Sequence, residues 1–208
     1  MLTDAQVVGF LVAAVLVTLS PGPDNLLVLS MGMSKGRRRG IVFGLGCAMG
    51  CIGHTALAVA GVSAIIAASP AAFMALKMAG GGYLLYLGYG ALRSHNAAKV
   101  QDTARAEKTY SALFFQGVVA NVINPKVALF FLSFLPQFVV LGNGAANVQM
   151  AALGVIFTLQ AGVIFSLLGY FSGTIGGWLN RTPKSGVWLD RIAGVVFVGL
   201  GLRLIFAQ

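Results

Sequence analysis

Charge is scarce in this sequence. Of 208 residues, 5 are acidic and 14 basic, and charged side chains make up 9% of the chain. Soluble domains carry about 25%. A soluble globular enzyme and a disordered chain are both excluded on that ground. The net charge of +9 does not indicate a nucleic-acid binder, because few polar residues accompany it. Two cysteines make no disulfide framework. No G-x-S-x-G elbow and no Walker A sequence occur, so neither a hydrolase nucleophile nor ATP-driven pumping has a motif here. Period-two alternation is absent as well, which excludes a transmembrane β-barrel.

Apolar residues fill the space that charge leaves. They account for 58% of the chain, with 28 glycines besides, and the mean hydropathy is +0.87. A membrane-spanning helix needs about 20 apolar residues. Six stretches qualify: Gln6–Ser30, Gly40–Ala67, Ala71–Leu92, Ala112–Val140, Val148–Trp178 and Val187–Phe206. The expected fold class is all-α, a polytopic membrane protein of six transmembrane helices in two inverted three-helix repeats. A single transport domain is expected over 1–208. Its first half is 1–92, a cytoplasmic linker covers 93–111, and the second half is 112–208. Asp4 is the only charge before Asp24, and no basic segment precedes the first span, so that span is expected to be retained rather than cleaved.

Basic residues set the orientation. The connection after span 1 holds Lys35, Arg37, Arg38 and Arg39. The one after span 3 holds Arg93, Lys99, Arg105 and Lys108, and the one after span 5 holds Arg181, Lys184 and Arg191. The other two connections hold none. Short basic loops stay in the cytoplasm, so both termini are expected outside it. Of the remaining cations, Arg203 and Lys77 are expected to snorkel near the outer interface. Lys126 has no such escape.

Two spans are interrupted at matched places. Ser20-Pro21-Gly22-Pro23-Asp24-Asn25 breaks the first, and Asn121-Val122-Ile123-Asn124-Pro125-Lys126 breaks the fourth. Proline inside a helix removes a backbone bond and clashes with the previous turn. In hydrocarbon such breaks survive only against protein or a wet cavity. Each opens a three-helix half, and an odd number of spans per half forces the halves into opposite orientations. Matched broken spans in inverted halves point to a transporter's substrate site. Asp24 and Lys126 sit at the breaks, where a charge costs at least ~2.5–3.5 kcal/mol. Together they complement an amino-acid zwitterion. They would equally make an ion pair locking the halves.

At these residues the chain resembles the lysine exporter/RhtB family of LysE-type amino-acid efflux translocators. The likeness rests on Ser20–Asn25, the following Ser34-Lys-Gly-Arg-Arg-Arg-Gly40 turn, and Asn124-Pro-Lys-Val-Ala-Leu-Phe-Phe-Leu-Ser-Phe-Leu-Pro-Gln137. Length and span layout agree over essentially the whole chain. The resemblance implies a bacterial inner-membrane exporter of amino acids or their derivatives, coupled to protons. Direction of transport rests on the resemblance alone.

The substrate is expected between the breaks. Asp24 would hold the ammonium or the coupling proton, and Lys126, with Asn25 and Asn124, the carboxylate. Asn121 would bind substrate or repair the helix, as would Asn25 and Asn124. Pro21, Pro23 and Pro125 would keep the helices open, with Gly22 supplying flexibility. His54 is a second proton candidate, or else a packing residue beside Thr55. Cys47, Cys51 and His54 share a helical face, but the two cysteines are too few for a closed metal site, and no metal or cofactor is expected. Gln116 and Gln160 are expected to bond between helices.

Gly40/Gly44, Gly46/Gly50 and Gly173/Gly177 are spaced for close helix packing, within the chain or in a homodimer. Gly80-Gly81-Gly82 reads as a hinge or a close crossing. Phe130, Phe134 and Phe138 form a stripe for packing or lipid contact. The expected partners are a small amino-acid substrate, protons and membrane lipids, with no nucleic acid. An efflux protein or channel for metal ions or other small solutes, using the same broken-helix site, is the alternative.

Overall fold

Every regular element in the computed structural model is helical, and no strand forms among the described residues, which are 2–62, 69–93, 108–140, 142–181 and 183–206. The expected end of span 2 (63–67) and most of the linker (94–107, with Asn96, Lys99, Gln101, Thr103 and Arg105) lie outside them. Helix α1 is Asp4–Leu19, started by a capping box between Thr3 and Gln6. Helix α2 is Pro23–Lys35 and α3 is Arg37–Leu57, which widens into a π turn over Ala58–Val62. Gly36 joins α2 to α3 at φ +90°, a backbone angle that favours glycine. Helix α4 is Pro70–Leu92, and α5 is Tyr110–Val122, capped by Thr109. Helix α6 is Pro125–Leu129, continued by a π turn over Phe130–Phe134 and a 3-10 turn over Leu135–Phe138. Helix α7 is Ala146–Tyr170, α8 is Ser172–Arg181 and α9 is Pro183–Phe206.

Arg37–Gly61 and Ala146–Tyr170 are each long and apolar enough to cross a membrane, with mean hydropathies of 1.7 and 2.1. Two bent pairs pass together: α1 with α2, at 57°, and α5 with α6 and its continuation, at 54°. Length and composition thus support up to four spans. Helices α4 and α9, expected as spans 3 and 6, have the length at 23 and 24 residues. Within them α4 carries Lys77 and three consecutive glycines, and α9 carries Asp190, Arg191 and Arg203.

The expected fifth span, Val148–Trp178, is one helix only to Tyr170. Phe171 turns the chain, and the Ser172 hydroxyl donates back to the Gly169 carbonyl at 2.8 Å, ending α7 and opening α8. The breaks in spans 1 and 4 are shorter than the motifs suggest. Only Ser20–Gly22 and Ile123–Asn124 are non-helical. Pro23 and Pro125 each stand in the first helical turn, where a missing N–H costs nothing.

Glycine sets the packing. An added methyl group at Gly40 would meet Gly32 of α2 and Gly169 of α7, and one at Gly44 would meet Phe165 of α7, while Gly46 and Gly50 face α5, against Phe114 and Asn121. One helix thus uses its two glycine pairs on three neighbours within the chain. Helices α4 and α9 cross closely at Gly81 with Gly201 and at Gly88 with Gly194, so the triple glycine serves a crossing. Among the described residues, no neighbouring helix comes within 4 Å of a methyl group added at Gly173 or Gly177. The order of these contacts gives the directions: α3 runs parallel to α5 and antiparallel to α7, and α4 runs antiparallel to α9.

One end of the bundle is closed by rings and amides. Phe130, Phe134 and Phe138 are buried against Phe10 and Phe157, with ring centroids 5.2–6.4 Å apart, so their stripe packs inside the protein and not against lipid. Beyond them Gln6 donates to the Phe138 carbonyl and to Gln149 Oε1, and Gln149 Nε2 donates to the carbonyls of Val140 and Gly144. Lys77, expected to snorkel, is buried instead, because its face of α4 packs against the interior π turn.

Candidate functional site

The two breaks meet in the middle of the bundle. Asp24 and Asn25 lie in the first turn of α2, and Asn124 and Lys126 flank the start of α6. All four line one small cavity with Asn121 from α5, together with Val17, Thr18, Cys51, Val127, Phe157 and Phe165. The space barely admits a water-sized sphere. The start of α2 brings its partial positive charge to this cavity.

Three of the five expected binding residues also hold the breaks together. Asn25 Nδ2 donates to the Thr18 carbonyl at 2.8 Å, satisfying an orphan group at the end of α1. Asn124 Oδ1 accepts from the Lys126 backbone N–H at 3.0 Å, capping α6. Asn121 Nδ2 donates to Asp24 Oδ2 at 2.7 Å and ties α5 to α2.

The two charges are not bonded to each other. Asp24 is 2% exposed; one carboxylate oxygen takes the Asn121 bond, and the other, Oδ1, is buried with no partner. The Lys126 ammonium donates to the Ser20 carbonyl at 2.8 Å and lies 5.4 Å from the Phe197 ring. The expected lock between the halves is therefore Lys126 to Ser20, with Asp24 to Asn121 beside it. An unsatisfied buried acceptor costs about 1–3 kcal/mol, and more when it is charged.

Gly22 matters here by its size. Its backbone is extended (φ −171°), and a Cβ would stand 2.9 Å from Lys126 Nζ. A side chain at this position would crowd the ammonium where it reaches the end of α1. Pro21 completes the non-helical stretch.

His54 is buried one step behind the cavity, with Nε2 3.0 Å from the Asn121 carbonyl oxygen and its ring 5.8 Å from Phe131. Cys51 donates to Asn121 Oδ1 at 3.6 Å. Asn121 is thus joined to Asp24, Cys51 and His54 at once. No group of three His, Cys, Asp or Glu side chains suited to a metal ion occurs among the described residues.

Thr18 was not foreseen. Its hydroxyl accepts from Gln160 Nε2 at 2.9 Å while its carbonyl takes Asn25. The expected interhelical role of Gln160 is the one observed. Gln116 instead accepts from Lys108 at 3.0 Å.

A family model described as LysE type translocator matches residues 15–208. The membrane protein YrhP of Bacillus subtilis is 30% identical over 206 residues, covering 95% of this chain and 97% of that protein. A membrane protein of Pseudomonas aeruginosa is 31% identical over 199 residues, covering 94% and 92%. The leucine efflux protein of Salmonella typhimurium is 27% identical over 199 residues, covering 96% and 94%. No solved structure matches.

Proposed function

The chain belongs to the LysE type translocator family, and on that premise we propose that it exports neutral amino acids across the bacterial inner membrane by alternating access. The observation that carries this reading is the unpartnered Asp24 Oδ1 in the same cavity as the Lys126 ammonium. A free anionic acceptor and a cation with spare protons complement the two ends of a zwitterion. Asp24 takes the α-ammonium. Lys126 takes the carboxylate.

Val17, Val127, Phe157 and Phe165 leave an apolar wall for the side chain. The ionisable side chains in the lining besides the Cys51 thiol are Asp24 and Lys126, so nothing there pairs with a charged side chain. Similarity to a leucine efflux protein supports the same substrate class. The cavity is too small for leucine as it stands, which fits an occluded state that must open.

Six spans in two inverted halves with both termini outside is the arrangement we propose. It is supported by bends of 57° and 54° at matched breaks, by the antiparallel pairing of α3 with α7 and α4 with α9, and by the lysines and arginines of the connections. Rocking one half against the other would open the site alternately. Asp24 and His54, joined through Asn121, are the proposed proton carriers.

Counterflow in proteoliposomes tests the reading. Purified protein preloaded with unlabelled leucine is expected to take up labelled leucine saturably, faster under an imposed pH gradient, and to ignore lysine. Non-saturating flux would indicate a channel. Absence of exchange for every amino acid, by folded protein, would sink the proposal and bring metal ions and other solutes forward.

A further inference from the structure

A second cavity lies along the same two helices. From the site, α2 runs from Asp24 to Lys35, and α5 runs back from Asn121 to Lys108 beyond its cap. Eleven residues of helix put Lys35 about 16 Å from Asp24. There, between α2, α3 and α5, a cavity is lined by Ser30, Lys35, Lys108 and Gln116 over Leu27 and Met31. Lys108 is directed into it by its 3.0 Å bond to Gln116 Oε1. Buried Val28, Met31, Phe43 and Leu113 separate it from the substrate site.

The opposite end differs in kind. The cavity beside Gln149 is lined by Leu2, Asn143, Gly144, Ala145, Val148 and Ala152, with no ionisable side chain. The lining at the Gln149 end thus carries no cation, although Arg203 stands near it, 5.5 Å from the Phe138 ring, whereas the other lining carries two. The Lys35–Lys108 mouth is at the end with the basic connections, which the orientation proposed above puts in the cytoplasm.

We infer that the Lys35–Lys108 cavity is a loading site, which holds the carboxylate of the outgoing amino acid before the Val28–Phe43–Leu113 barrier opens. This rests on the exporter reading. Two ammonium groups beside Ser30 and Gln116 suit one carboxylate, and the apolar floor of Leu27 and Met31 suits an aliphatic side chain. The next carboxylate-binding group, the Lys126 ammonium, lies one barrier away.

The test uses the full-length protein in everted and right-side-out membrane vesicles, with labelled leucine as the probe. Lys35→Gln/Lys108→Gln is expected to raise the half-saturation concentration about tenfold when leucine is offered at the basic face, as loss of a charge-assisted hydrogen bond does. At the other face the value stays as in wild type, and Lys35→Arg/Lys108→Arg restores the first. An unchanged value at the basic face overturns the inference, as does an equal rise at both faces. Reconstitution in phosphatidylcholine alone separates lipid from solute. If the defect of the Gln pair disappears there, the lysines serve anionic headgroups and the loading site falls. If wild type carries leucine through an Asp24-dependent route while the Gln pair behaves normally, only the loading site is lost. If wild type carries none, the exporter reading falls and the loading site with it.

Discussion

Asp24→Asn is expected to raise the half-saturation concentration for leucine roughly 10- to 100-fold while raising the melting temperature of the substrate-free protein. Asparagine has nearly the shape of aspartate, and its carbonyl can still accept the 2.7 Å bond from Asn121. What disappears is the charge on Oδ1, the oxygen with no partner. A hydrogen bond to a charged group contributes about 1.5–3 kcal/mol, and each 1.4 kcal/mol is tenfold in affinity. In the empty protein that oxygen is buried with no hydrogen bond, although the Lys126 ammonium shares the cavity, and a neutral amide costs less to bury there. Binding weakens and stability rises together. Transport kinetics in proteoliposomes and thermal unfolding in detergent check the two halves of this result. A variant that transports normally, or one that loses stability, would show that the carboxylate serves structure.

Lys126→Gln is expected to weaken leucine binding by a similar factor and to lower stability. The ammonium performs two tasks. It would hold the substrate carboxylate, and it donates to the Ser20 carbonyl at 2.8 Å, joining the start of α6 to the end of α1. Glutamine is shorter and uncharged, so that carbonyl is left buried without its partner. The same assays check it. Opposite stability changes in the two variants would show that the two charges do not form one ion pair, since breaking a buried pair from either side destabilises. Loss of stability in both would favour the lock.

The breaks were legible because proline is scarce, with 6 in 208 residues. Pro21, Gly22, Pro23 and Pro125 mark the two positions where bends of 57° and 54° occur. The charges were legible too, since Asp24 and Lys126 stand out against a sequence with 5 acidic residues. Their partners were not. Asn121 meets Asp24 across 97 residues of sequence, and Lys126 meets Ser20 across 106. Helical periodicity says nothing about such pairings. The end of α7 at Phe171 was missed because no proline or charge marks it, and a serine hydroxyl bonded to the Gly169 carbonyl stands there instead. The glycine pairs were found by spacing, but only packing could assign Gly40 and Gly44 to α2 and α7, and Gly46 and Gly50 to α5. Lys77 looked peripheral in sequence and is interior because the α6 continuation packs across its helix.

The most direct test of the zwitterion site is competition against labelled leucine by two analogues, 4-methylpentanoate, which lacks the ammonium, and 3-methylbutan-1-amine, which lacks the carboxylate. In wild type both should compete roughly 10- to 100-fold more weakly than leucine, each having lost one charge-assisted contact. In Asp24→Asn, leucine should lose its advantage over 4-methylpentanoate and keep it over the amine. In Lys126→Gln the pattern should reverse. If both variants still prefer intact leucine over each analogue by the wild-type factors, then neither charge reads the end of the molecule assigned to it, and the substrate lies elsewhere.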